Sequence, residues 1–142
     1  MINETLKKKY AILTFKWCKK NLGISKRKKK VKFLVSKKIK YYDETKKEKL
    51  YGEYVLEKNK IIVYIKLCRT FKDIVSSVIH EYTHYLQPNY KHIIYFKTYT
   101  YKKNPFEIEA KKNEDLYTDI CLIDIKNQVR ISNSVTSFKK NK

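Results

Sequence analysis

Thr70-Phe71-Lys72-Asp73-Ile74-Val75-Ser76-Ser77-Val78-Ile79-His80-Glu81-Tyr82-Thr83-His84-Tyr85-Leu86-Gln87-Pro88 carries its own boundaries. Thr70 with Asp73 three residues later forms a helix N-terminal cap, Asp standing where Glu is usual. Phe71, Ile74, Val75, Val78, Ile79, Tyr82 and Leu86 then recur at spacings of three and four, the mark of an amphipathic helix. Pro88 ends it, because the residue before a proline is pushed out of the helical region. His80, Glu81 and His84 lie beside the apolar stripe. Residues i and i+4 sit one above the other on a helix, so both imidazoles can reach one metal ion, with Glu81 near the same spot. The chain has three histidines in all, so this spacing is no by-product of abundance.

Upstream, residues 3–21 read as an amphipathic helix on Leu6, Tyr10, Leu13 and Trp17, closed by Gly23. Val31-Lys32-Phe33-Leu34-Val35 reads as a strand. Residues 40–50 are polar and read as a loop or frayed helix. Tyr51–Glu57 and Lys60–Leu67 are two β-rich runs joined at Lys58-Asn59, a hairpin whose second run is apolar enough for burial on both faces. Downstream, residues 88–104 read as irregular and tyrosine-rich. Pro105 suits a first helical position, and the helix it opens extends to about residue 123. The predicted fold is therefore a small α+β domain: an N-terminal helix, a short antiparallel or mixed sheet of about three strands, the His80–His84 helix and a second helix. It occupies residues 1–131, with its core at about 50–123 and a loose basic tail at 132–142.

At 142 residues the chain is large enough for one real core. No run of about 18 apolar residues exists, so nothing in the sequence spans a membrane and no membrane partner is expected. A secretory signal is not expected either, because Lys16 breaks the apolar stretch Tyr10–Phe15 and no small-residue cleavage site follows. Cys18, Cys68 and Cys121 are widely spaced and odd in number, which points to buried thiols in a reducing, intracellular setting. The formal charge is +20. It rests almost wholly on lysine, with Arg27, Arg69 and Arg130 the three arginines. Enrichment in Lys, Asn, Ile and Tyr together is what A/T-rich codons produce, as in a viral or mobile genome. Readers of bases and phosphates favour the arginine fork. The run Lys26-Arg27-Lys28-Lys29-Lys30 still offers non-specific contact to nucleic acid.

His80-Glu81-Tyr82-Thr83-His84 has the H-E-x-x-H spacing of zinc-dependent peptidases. A catalytic zinc takes three protein ligands and keeps one open position. His80 and His84 supply two, and His92, Glu107, Glu109, Glu114 and Asp115 are candidates for the third. His92 follows closely, across Pro88, without a glycine turn to swing it back. Glu107 and Glu109 lie roughly 200° apart around their helix, so only one of them can face the metal.

The stretch from His80 to Gln87, followed by Asn104-Pro105-Phe106-Glu107-Ile108-Glu109-Ala110, resembles the gluzincin type of metallopeptidase. It is similar to the compact ImmA/IrrE-like group and to small virus-encoded zincins. The resemblance covers about residues 50–123; the first 50 residues match nothing in that family. In that group the third ligand is a Glu followed directly by Ala, which implies Glu109 as ligand and Glu107 as runner-up. The family often places an Asp four residues further on to hold the first His, and Asn113 stands there instead. The resemblance implies a zinc endopeptidase in which zinc activates a water, Glu81 acts as general base, and a tyrosine, Tyr99 or Tyr101, steadies the oxyanion. One strand of the hairpin before the helix would hold an extended protein or peptide substrate. Expected rivals are a DNA-associated protease of the SprT-like kind, which takes a His as third ligand, and a non-enzymatic nucleic-acid-binding protein. An intracellular location follows for each, in the cytoplasm, in a cell hosting a virus or mobile element, or in a virion.

Overall fold

The computed structural model describes residues 2–43 and 48–140, with the description of 42–43 and 135–140 limited to the backbone. Its fold is small α+β. Helix α1 (Glu4–Asn21) is followed by strands β1 (Lys32–Ser36), β2 (Tyr41–Asp43), β3 (Glu48–Lys49), β4 (Gly52–Val55) and β5 (Lys60–Tyr64). Helices α2 (Phe71–Leu86), α3 (Asn89–Thr98) and α4 (Pro105–Lys140) complete the chain.

The helix at the centre of the sequence forms as its punctuation dictates. Thr70 Oγ1 accepts from the Asp73 N–H at 3.1 Å, and Asp73 accepts in return from the Thr70 N–H at 3.2 Å. The two side chains thus satisfy backbone donors that a bare helix end leaves open. Ile74, Val75, Val78, Ile79 and Tyr82 are fully buried. They pack between α1, the sheet and α4 in one apolar cluster that also includes Trp17, Ile61 and Ile125.

The main sheet has the order β1-β5-β4. β5 is its centre, parallel to β1 and antiparallel to β4, with Gly52 opposite Val63 and Val55 opposite Lys60. The expected hairpin is present, but its connection is longer than a two-residue turn. A single 3-10 turn, Leu56–Lys58, leads to Asn59 in the left-handed region at φ 46°, a conformation that asparagine tolerates better than most residues. The Asn59 side chain accepts from the Tyr54 hydroxyl and donates to the Lys29 carbonyl, each at 2.7 Å. All three cysteines are buried and free, as expected.

Several readings of the sequence need correction. Part of the polar stretch 40–50 forms a second, two-stranded antiparallel sheet, β2 with β3; residues 44–47 lie outside the described residues. Residues 89–98, read as irregular, form α3, because Pro88 ends α2 and then serves as the next N-cap. The last helix does not end near residue 123. Ile125 and Val129 continue the buried stripe of Ala110 and Cys121, and nothing after Pro105 is a Gly or Pro, so the helix continues to Lys140. Residues 141–142 of the expected tail lie outside the described residues.

Two lysines of the N-terminal part brace α2 and the sheet. Lys7 is buried, and its ammonium donates to the Ile65 and Lys66 carbonyls at 3.1 and 3.2 Å, at the end of β5. Lys28, from the basic run, turns inward and donates to the Tyr85 carbonyl at 2.6 Å and to the Tyr54 hydroxyl at 3.3 Å. Its Nζ lies 4.8 Å from the centre of the Tyr54 ring. Burial, with Arg27 beside it, pushes its pKa down to about 8. One cation of the run is therefore a clamp between the loop, β4 and the end of α2, while Lys26, Arg27, Lys29 and Lys30 are exposed. Among the described residues no helix is long and apolar enough to cross a membrane.

Candidate metal centre

α2 packs against α4, which sets His80 and His84 facing two carboxylates on the second helix. Glu107 bridges the imidazoles: Oε2 is 3.0 Å from His80 Nε2 and Oε1 is 2.9 Å from His84 Nε2. The two Nε2 atoms are 3.2 Å apart. Three donors at about 2.0–2.1 Å from one tetrahedral ion would stand roughly 3.3 Å from one another, so little adjustment separates these positions from a ligand shell. His80, His84 and Glu107 form a group that can hold a metal ion.

The other ring nitrogens are held in place. His80 Nδ1 donates to Glu114, and His84 Nδ1 donates to Gln87 Oε1 at 2.8 Å. Each bond fixes a ring and reserves its Nε2 for the centre, the outer arrangement that metal-binding histidines use. Gln87 is itself fixed, its amide N–H donating to the Phe106 carbonyl and to Glu109 Oε1, both at 3.1 Å.

Glu109, expected as the third ligand, therefore sits one step away: it orients Gln87, which orients His84. The carboxylate beside the imidazoles is Glu107, the runner-up. The cause is helical geometry. Glu107 shares the face of buried Ala110, Thr118 and Cys121, whereas Glu109 is turned roughly 200° from Glu107 and is exposed. Asn113, at the position where the family often has an Asp, donates to the Thr83 hydroxyl at 3.1 Å and does not touch an imidazole. Glu114, seven residues after Glu107 and so on the same face, holds His80 instead. Asp115 is exposed and pairs with Lys111. His92 is not gathered either: its Nε2–H donates to the His84 carbonyl at 2.9 Å and its ring rests on Phe106. Burial pushes the His92 pKa down to about 4, so it stays neutral there.

The electrostatics of these side chains follow from this packing. Burial works against charge on His80, but Glu107 and Glu114 outweigh it and raise its pKa to about 10. The His84 pKa is raised as well, burial again being overcome by Glu107. Glu107 is held well below the usual carboxylate range: the two imidazoles outweigh its burial. Glu81 behaves oppositely, with burial raising its pKa against the partial opposition of His84 and His80.

These groups line a cleft of about 760 Å³ that β4, Tyr41 and Tyr101 also border. Of the two tyrosines expected near the centre, Tyr101 lines this cleft and Tyr99 does not. Gly52, on β4, explains how Glu81 fits. A Cβ at that position would lie 3.1 Å from Glu81 Cγ and 3.2 Å from the Ile62 carbonyl oxygen. Gly52→Ala is expected to cost about 1–3 kcal/mol by overpacking and to displace Glu81, so urea denaturation and any activity should both report it. Glu114→Ala should lower metal affinity by about 10–100-fold with little change in fold, measurable by competition against a chromogenic chelator.

No family model matches the chain, and no characterised protein or solved structure matches it.

Proposed function

We propose that the chain is a zinc-dependent endopeptidase of gluzincin type, with His80, His84 and Glu107 as ligands and Glu81 as general base. The convergence of both Nε2 atoms on Glu107, each ring fixed through Nδ1, is the observation that carries the reading. Two imidazoles and one carboxylate are a donor set that suits catalytic zinc. Zinc, when bound, supplies a Lewis acid that brings the pKa of water down to about 7.

The protein's own groups supply the rest. Glu81 neighbours His80 in the same cleft wall, and its raised pKa suits a base that takes a proton from the attacking water and returns it to the leaving nitrogen. The Tyr101 hydroxyl can donate to the oxygen that becomes negative. β4 is an edge strand bordering the cleft, and a peptide in extended form can add to such an edge through its main chain.

The SprT-like rival needs a histidine as third ligand, and the commitment of His92 Nε2 to the His84 carbonyl counts against it. The deciding experiment incubates zinc-loaded protein with an unfolded, mixed-sequence protein substrate. Cleavage that o-phenanthroline stops and added zinc restores is expected. A zinc-loaded protein that cuts no bond in a broad peptide pool would overturn the reading and leave a metal-binding protein.

A further inference from the structure

We propose that α3 is an interfacial element that docks on an anionic lipid surface. The observation is an apolar ridge that nothing among the described residues covers. α3 has no buried residue; Tyr90, Ile93, Ile94 and Phe96 are 61%, 50%, 53% and 80% exposed. Its attachment is one-sided, through His92 and Tyr95, whose rings lie 4.7 and 4.9 Å from that of Phe106. The opposite side stands clear as a convex ridge. Exposed apolar groups gathered in this way mark a binding surface rather than ordinary scatter.

Charge selects the occupant. Lys91 and Lys97 lie on the helix, and Lys102 and Lys103 follow it closely. Lys97 falls within the apolar face at helical spacing, between Ile93 on one side and Tyr90 and Ile94 on the other. A protein groove taking this ridge would have to bury that ammonium with a partner. At a bilayer its stem lies along the acyl boundary while the head reaches a lipid phosphate. A second copy of the chain would bring the same lysines and a second charge of +20 against it, which is unfavourable at short range. Phe96, Ile93, Tyr90 and Ile94 spread over an outward arc of about 160° with lysines in and around it, residue types found in helices that lie in a membrane surface without crossing it. Each nearby lysine adds attraction to an anionic leaflet. Tyr101 and Lys102 border the cleft, so a docked α3 sets the cleft mouth close to the lipid.

The test is sedimentation of the full chain with vesicles, either neutral phosphatidylcholine or phosphatidylcholine with about 30 mol % phosphatidylserine, at about 0.15 M salt. The comparison is the triple variant Ile93→Ser, Ile94→Ser, Phe96→Ser, whose sites are exposed and leave the core intact. The wild type is expected to pellet with the anionic vesicles, and the triple variant to partition at least about tenfold more weakly. Equal pelleting of variant and wild type would mean that lysines alone adsorb, and would overturn the proposal. So would a wild type that stays in solution, or one that sediments as a dimer which the triple variant abolishes. The readout needs no metal and no hydrolysis, so it stands or falls separately from the peptidase reading.

Discussion

Glu107→Ala is expected to remove the metal, and Glu109→Ala to leave it in place. Wild-type protein supplied with zinc should hold about one equivalent by elemental analysis. Structural zinc bound by four ligands is stabilised by roughly 10–16 kcal/mol. One ligand's share then corresponds to a loss on the order of 10²- to 10³-fold in affinity. Glu109→Ala should weaken binding far less, because Glu109 reaches the centre only through Gln87 and His84. The same pair of variants sets this centre apart from the family pattern, in which Glu followed by Ala is the ligand. Retained zinc in Glu107→Ala with loss in Glu109→Ala would reinstate Glu109. The pH dependence has a defined sign as well. His80 has a pKa of about 10 in the metal-free centre, so at neutral pH its ring carries both protons. A metal takes only the unprotonated Nε2, so binding must release protons and tighten as pH rises. Calorimetric titration in buffers of different ionisation enthalpy would count those protons, and none released would contradict a protonated His80 beside Glu107.

How far the sequence could be read depended on the kind of signal. α2 was legible in full, because cap, apolar repeat and proline all act within one turn of the residues they govern. The β4–β5 hairpin was legible for a similar reason, the two β-rich runs and the break at Lys58-Asn59 being local. α3 was not, because its apolar residues face outward and its few inward contacts involve His92 and Tyr95, which mimic no core stripe. The end of α4 was missed where the stripe passed to Ile125 and Val129, beyond a region rich in polar residues. For the candidate site, the pairing of His80 with His84 was legible from spacing alone. The choice between Glu107 and Glu109 had a usable signal that the family pattern overrode. Glu107 and Glu114 stand seven apart, in phase with Ala110 and Cys121, so they share the face turned towards α2. The clamp by Lys28 had no local signal at all: a lysine inside a basic run looks like a solvated charge until Tyr54 and Tyr85 are brought around it.

Glu81→Gln should lower the hydrolytic rate by about 10²–10⁴-fold, the usual contribution of a positioned base, while zinc content stays that of the wild type. The substitution keeps shape and removes the proton acceptor. It also removes a carboxylate that burial disfavours in its charged form, so unfolding in urea should occur at an equal or higher midpoint. These three readings together separate chemistry from damage: a fold or metal defect would move the midpoint down or the zinc content down along with the rate. In the wild type Glu81 must be ionised to act, and its pKa is raised, so activity is expected to fall on the acid side as pH drops through that raised value. If metal and fold are kept and the rate is unchanged, the base is another group. Glu107 is committed to two imidazoles and Glu114 to His80, and among the described residues no other carboxylate pairs with the two rings. A fully active Glu81→Gln would therefore take the role of base away from Glu81 and leave it to another group of the cleft, which Glu53 also lines.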